Sequence, residues 1–418
     1  MTGMECHLSA FVRRSRTTSY RRQDPSAPSP FRRRLACCMT TSLFDTTHAM
    51  PHRSRREASP ETSHSASDKS QTTGAVNKAA APRLSPLRMV IGLGLAGFGL
   101  WLIAGGFGPT GPSGKTAAVP ERYDADRAMG YLKTLCEFGP RPSGSEAMKQ
   151  QQDYLESFFQ DLGAEVTRQS FEARHPLDGN AVKLTNLIAS WHPQRPIRFL
   201  FCAHYDTRPY PDSDSVNPRG TFIGANDGAS GTAGLMELAH QLHDLPDNVG
   251  VDLVLFDGEE LVFKNRLNHS EGDYFLGSTH FAQQYELQPP AVPYRAGVLF
   301  DMIGDKELLL FTEKNSLRFA RPVVKSFWKE AKTLGVTLFI DRARPDVRDD
   351  HLPLNRIAKI PSIDVIDFDY PRPGIGAPSY WHTEQDIPAN CSGTSIATVV
   401  WVARSWLDTQ SQQQTVTR

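Results

Sequence analysis

The chain is poor in cysteine and has no net charge, and each shortage removes some possibilities. Of its six cysteines, Cys6, Cys37 and Cys38 lie in the first 88 residues, and only Cys136, Cys202 and Cys391 lie beyond them. None forms a C-x-x-C pair, so neither a disulfide framework nor a thiolate zinc site is indicated, although one pair among the last three stays open. No internal repeat is evident. Lys and Arg balance Asp and Glu at 46 each, but the balance hides an asymmetry. Residues 1–88 carry 15 basic and 6 acidic residues, which leaves 31 basic against 40 acidic in the remainder. The basic segment is rich in Arg, Ser, Thr and Pro and has no apolar periodicity. It cannot bury enough surface to fold and is read as a disordered cytoplasmic tail over 1–88.

The clusters "RRSR" and "FRRR" in that tail admit a nucleic-acid reading, and the neighbouring apolar segment decides against it. Long apolar runs are otherwise absent, yet Met89–Phe107, "MVIGLGLAGFGLWLIAGGF", holds 19 uncharged residues. As a helix it would span about 28 Å, close to the hydrocarbon thickness of a bilayer. It is too long and too far from the N-terminus for a secretory signal, so a signal anchor over 89–108 is predicted. The Arg-rich side then stays cytoplasmic, and the remainder lies outside, periplasmic or extracellular. No nucleic-acid partner is expected. The "GLGLAG" within this run matches G-x-G-x-x-G, but no strand precedes it and no acidic residue stands at the right distance after it, so it is rejected as a nucleotide site.

Residues 109–120 are a Pro/Gly/Ser linker. From 121 to 410 helix-like and strand-like segments alternate, and 411–418 reads as a disordered end. "SGSEAMKQQQDYLESFFQDLG" has a Ser cap, helical apolar spacing and a Gly stop. "AVKLTNLIASW", "PIRFLFCAHYD", "VDLVLFDGEE", "AGVLFDMIG" and "IPSIDVIDFD" read as strands, several of them apolar on consecutive residues, as suits strands covered on both faces. "SGTAGLMELAHQLHDL" and "SGTSIATVVWVARSWL" read as helices. The predicted fold is a single α/β domain on a mixed, mostly parallel sheet flanked by helices.

Polar residues cluster just after the strands: His204 and Asp206; Asn226 and Asp227; Asp257, Glu259 and Glu260; Asp301 and Asp305; Asp349, Asp350 and His351; Trp381 and His382. In open α/β sheets the ligand crevice lies beyond the carboxyl ends of the strands. Carboxylates and imidazoles without cysteine suit zinc or another divalent ion, and an open catalytic site needs three protein ligands and a free position. Each residue also has a plainer reading. Asp227 could cap the helix after it, His204 could be a satisfied core histidine, and His382 could cap a turn. Glu259 and Glu260 resist such readings, because surface acids rarely end a run as apolar as "VDLVLF". For Asp206, Asp257 and His351, orienting or loop hydrogen bonds compete with a direct role.

The ordered set "CAHYD", "GANDGASG", "FDGEE", "LGSTHFA", "DMIG", "DDHLPL" and "WHT" resembles the zinc exopeptidase superfamily that contains dinuclear aminopeptidases and glutaminyl-peptide cyclotransferases. The resemblance covers about residues 125–410. It implies zinc held by Asp227, Glu260 and His382, with Glu259 as the proton-transfer residue. Asp349 ahead of the Asp-His pair, Trp381 before the last zinc-type histidine, and the long connection "LVFKNRLNHSEGDYF" point to the cyclotransferase branch. His204 and Asp301, with Asp206 nearby, stand where a second metal or its supporting residues would be, and "GANDGASG" is more aminopeptidase-like. Animal cyclotransferases keep the equivalents of His204 and Asp301 beside a one-zinc site, so one ion is favoured and two stay open.

A cyclotransferase turns the N-terminal Gln of a peptide into pyroglutamate: the substrate's own α-amine attacks its side-chain carboxamide and expels ammonia. Glu259 would carry the proton, while Asp301 and Asp349 would share protons as a carboxylate pair. Trp381 and His351 are expected to line the substrate pocket. The alternatives are a zinc aminopeptidase acting on the same peptide N-termini and a non-catalytic binding module of this fold.

Overall fold

The computed structural model describes residues 116–264, 270–271, 273–344, 346–368 and 380–412. The basic tail and the apolar run 89–107 lie outside these residues. Among the described residues no helix is long and apolar enough to cross a membrane.

The central sheet has six strands: β1 (Glu165–Arg174), β2 (Ala181–Trp191), β3 (Ile197–His204), β4 (Val249–Phe256), β7 (Tyr294–Asp301) and β10 (Ser362–Ile366). Two short pairs lie apart from it, β5 (Phe263–Lys264) with β6 (Ser270–Glu271) and β8 (Leu310–Thr312) with β9 (Phe339–Ala343). The sheet order is β1-β2-β4-β3-β7-β10. Strands β4, β3, β7 and β10 run parallel, whereas β1–β2 and β2–β4 are antiparallel. The parallel strands therefore end together, His204 beside Phe256 and Asp301 beside Ile366.

The consecutive apolar residues have their expected cause, since every residue of β3 and β4 is buried. Their side chains alternate between two layers. Phe199, Phe201 and Ala203 face the larger core, and Leu200 and Cys202 face the smaller one. The larger core is covered by α1 (Ala125–Glu137), α2 (Glu146–Asp161), α3 (Ala229–Ala239), α6 (Arg321–Thr333) and α8 (Gly393–Gln412). On the other face α4 (Leu276–Leu287) and α7 (His351–Arg356) supply Phe281 and Leu354. The short α5 (Lys314–Phe319) leads into α6. Trp406 of α8 is enclosed by Phe199, Phe201 and Phe327 at centroid distances of 5.5, 6.3 and 5.5 Å. Fully burying an aromatic of this size contributes several kcal/mol, about 3–5 on truncation to Ala.

Cys136, Cys202 and Cys391 are all free thiols, so the pair left open by the sequence is not bonded. Helix α2 starts where the Ser cap predicts, with Ser145 accepting from the Met148 N–H.

Candidate metal centre and pocket

Five elements bring the polar clusters to the carboxyl end of the parallel strands. His204 closes β3, "FDGEE" ends β4 and turns out of it, and Asp301 closes β7. Asp227 stands in the turn before α3, and His382 in the turn that precedes α8. The helix cap of α3 is Gly228 and no side chain caps it, so Asp227 is not the cap its position suggested.

Two groups of three buried side chains result, with the ligand atoms of each group within 4.8 Å of one another: Asp227, Glu260 and His382, and His204, Asp227 and Asp301. In the first, His382 Nε2 lies 2.8 Å from Glu260 Oε1 and 3.4 Å from Asp227 Oδ2. In the second, His204 Nε2 lies 3.2 Å from Asp227 Oδ1 and 3.3 Å from Asp301 Oδ1. Asp227 thus turns one oxygen to each group. Among the described residues, Asp227 Oδ2, Asp301 Oδ1 and His382 Nδ1 are among the buried atoms that lack a hydrogen bond, as are both ring nitrogens of His351 away from the cavity. Buried polar atoms are rarely left so. Imidazole nitrogen and carboxylate oxygen converging on one point fit a divalent ion such as zinc.

The electrostatics agree with that fit. Burial alone would lower the His382 pKa, but Glu260, Asp212 and Asp227 push it up to about 10. Burial works against ionisation of Asp227, yet His204 and His382 outweigh it and hold the carboxyl below its usual range. Glu259 moves the other way: burial, then Glu260, Asp349 and Asp350, raise it well above the ordinary value, with His204 opposing. Asp349 is raised by burial and then by Asp301 and Asp350. A cation bound here would relieve the crowding, and it would have to displace the His382 proton on entry.

"FDGEE" divides its three carboxylates between two directions. Gly258 has φ 78°, and a Cβ there would meet Leu184 Cδ2 at 2.3 Å, so only glycine makes this turn. Asp257 points back into the body, accepting from Ser143 Oγ at 2.6 Å and the Thr185 N–H at 2.8 Å. Glu259 and Glu260 point forward into a cavity of about 340 Å³, whose walls include Asp227, Asp301, Asp349, Trp381 and His382. Trp381 stacks on His382 with centroids 3.8 Å apart and meets Phe368 edge-on.

Two expectations need correction or refinement. His351 does not line the pocket. It is fully buried at the start of α7, with Nε2 3.3 Å from Glu313 Oε2 and Nδ1 3.8 Å from Asp364 Oδ2. Asp206 belongs to neither ligand group. Its two oxygens accept from the N–H groups of Glu259 and Glu260, at 3.1 and 3.0 Å, and Oδ1 lies 3.6 Å from His204 Nδ1. It orients the residues that form the site.

Sequence reasoning passed over three further supports. Arg208 is buried and grips Glu260 through its backbone N–H on Oε2 (3.0 Å) and Nη1 on Oε1 (3.2 Å). Its Nε also donates to Asp212 Oδ2 at 2.8 Å, and Asp212 Oδ1 lies 3.6 Å from His382 Nδ1. Asp386 accepts from the N–H groups of Asn226 and Asp227, at 2.7 and 3.0 Å, and so ties the His382 turn to the Asp227 turn. The only sequence signal was proximity, since each lies within a few residues of a singled-out position.

The sequence pattern of Peptidase family M28 matches residues 186–407, more than half of the chain, and this stretch contains every ligand candidate above. The chain belongs to peptidase family M28. Among solved structures similar to this chain, glutaminyl cyclase from Fimbriiglobus ruber is 41% identical, with 72% of this chain and 98% of that chain covered and a TM-score of 0.63. A Zn-dependent exopeptidase from Parabacteroides distasonis is 34% identical, with 69% and 99% covered and a TM-score of 0.62. The uncharacterised protein YfbL of Escherichia coli is 32% identical over 154 residues, 36% of this chain and 43% of that protein. The chain spans less than half the length of the curated relatives it matches.

Proposed function

We propose that this M28 chain is a zinc-dependent glutaminyl-peptide cyclotransferase, converting the N-terminal Gln of peptides or proteins to pyroglutamate with release of ammonia. In this proposal residues 89–108 anchor it in a membrane and place domain 121–410 outside the cytoplasm. The observation that carries the chemistry is Asp349, buried on the pocket wall with a carboxyl raised by its burial and by Asp301. Burial of this kind favours the protonated form, which can donate a hydrogen bond to a substrate amide. The likeness to the Fimbriiglobus ruber glutaminyl cyclase supports the same reading.

Asp227, Glu260 and His382 would hold the ion, and zinc bound there supplies Lewis acidity toward the side-chain carbonyl. Glu259 lies in the cavity beside them. Its carboxylate takes a proton from the substrate α-amine as the amine nitrogen bonds to the side-chain amide carbon. The same proton passes to the amide nitrogen as the carbon–nitrogen bond breaks, and ammonia leaves. Asp349 and Asp301, both on the cavity wall, orient the amide. Trp381 closes one wall of the cavity.

One observation favours a second reading, a zinc aminopeptidase. Asp227 offers an oxygen to each of two ligand groups, so His204 and Asp301 could hold a second ion. Glu259 would then activate water for hydrolysis. The presence of all these residues argues against a non-catalytic binding module.

The zinc-loaded chain, incubated with a Gln-initiated and a Leu-initiated peptide, separates the readings by mass. Loss of ammonia from the first, with the second intact, is the expected result. Release of free Leu would replace the cyclotransferase by the aminopeptidase, and no change in either peptide would leave the binding module.

A further inference from the structure

Beyond Arg88 the chain has 31 basic and 40 acidic residues, yet one surface of the domain reverses that balance. Between Lys314 and Lys332 there are six basic residues and one acid, Glu330. Arg321, Lys325, Lys329 and Lys332 are exposed on α6 at spacings of four, four and three, which puts them on one face of the helix. The stripe runs about 16 Å along the helix axis. The opposite face carries Phe327 and Trp328 into the core. Exposed lysine-rich helices are usually laced with carboxylates, but Glu330 is turned aside, accepting from Ser405 Oγ at 2.6 Å and Thr409 Oγ1 at 3.1 Å on α8.

Lys314 and Arg318 of α5 extend the same basic surface, and both are exposed. The guanidinium groups of Arg318 and Arg356 lie 5.3 and 5.5 Å from the Phe319 ring centroid. Among the described residues, none of these seven cations has a carboxylate within ion-pair distance.

The described chain begins beside this helix. Ala117 N–H donates to Gly335 O, and Thr337 N–H donates to Thr116 Oγ1, each at 3.0 Å. Gly335 lies two residues past the end of α6. Eight residues, 108–115, separate Thr116 from the apolar run 89–107, and they reach at most about 28 Å when extended. A chain anchored by that run would keep the α6 stripe near the bilayer, and a leaflet that carries anionic headgroups attracts exposed Lys and Arg within about a Debye length. We propose that the α5–α6 face is a membrane-docking surface that lays the domain on anionic lipid. The acidic remainder of the domain is repelled by the same lipid, which fixes the orientation. The tether argument rests on the anchored reading under Proposed function, whereas the charge argument does not.

The test uses the full chain with vesicles of phosphatidylcholine alone or of phosphatidylcholine mixed with phosphatidylglycerol. Lysine acetylation rates are read residue by residue by mass spectrometry. Lys149 and Lys183, exposed on α2 and β2 beside the other edge of the sheet, serve as references. Lys325, Lys329 and Lys332 are expected to react at least about threefold more slowly on the anionic vesicles, with the protection lost in high salt and the references unchanged. In a variant carrying Arg321→Gln, Lys325→Gln, Lys329→Gln and Lys332→Gln, the protection of Lys314 should disappear. Equal rates on the two vesicle types would overturn the proposal. Protection by duplex DNA without protection by anionic vesicles would overturn it in favour of a nucleic-acid surface. Flotation with the neutral vesicles tests the anchor separately, because the basic face contributes nothing there.

Discussion

Two of the clusters of buried histidine and carboxylate among the described residues are built from the same residue types and put to different ends. His382, Glu260 and Asp227 face a cavity. His351, Glu313 and Asp364 are fully buried, and the Glu313 carboxylate is committed to the backbone N–H groups of Asn315, Ser316 and Val347. His351 and Glu313 therefore pin the start of α7 to the start of α5 and to the segment that carries Asp349. Residue type does not separate a metal centre from a structural staple. Access does, since the first cluster lines the cavity and the second does not.

Substitutions in the two clusters should behave differently, and the largest effect is expected at the residue shared by both ligand groups. Asp227→Asn should lower zinc content and reduce turnover by at least about a thousandfold, measured by metal analysis and kinetics on the same sample. Full zinc retention there would remove Asp227 from the ligand set. Asp349→Asn should lower kcat about 10–100-fold with zinc retained, since it alters hydrogen bonding to substrate but no ligand. Arg208→Gln should weaken zinc binding about tenfold by freeing Glu260, seen by competition with a chelator. His351→Gln is expected to leave turnover within about twofold while costing about 1–3 kcal/mol of stability in denaturant unfolding. A loss of turnover at His351 without a loss of stability would erase the contrast between the clusters.

The sheet was legible where strands are covered on both faces. Segments "AVKLTNLIASW" and "PIRFLFCAHYD" became β2 and β3 almost residue for residue, and in β3 burial on both sides accounts for the continuous apolar run. Strand β1 escaped notice because it is an antiparallel edge strand with alternating exposure, and its "EVTRQSFEAR" has few apolar residues. The candidate ligand groups were legible at the strand ends, where carboxylates come directly after apolar runs. His351 misled because "DDH" puts it two residues from Asp349, and spacing alone does not say that the first turn of α7 rotates it away from the cavity. Arg208, Asp212 and Asp386 stayed hidden because their partners, Glu260, His382 and Asp227, are distant in sequence and meet them only in the fold.

In the proposed function the adjacent glutamates of "FDGEE" do separate work, Glu260 holding the ion and Glu259 carrying the proton. Zinc affinity and turnover of Glu259→Gln and Glu260→Gln, measured side by side, test it most directly. The expected result is near-normal zinc binding in Glu259→Gln with turnover down about 10²–10⁴-fold, and a marked loss of zinc in Glu260→Gln. Near-normal turnover in Glu259→Gln, or undiminished zinc binding in Glu260→Gln, would contradict the account.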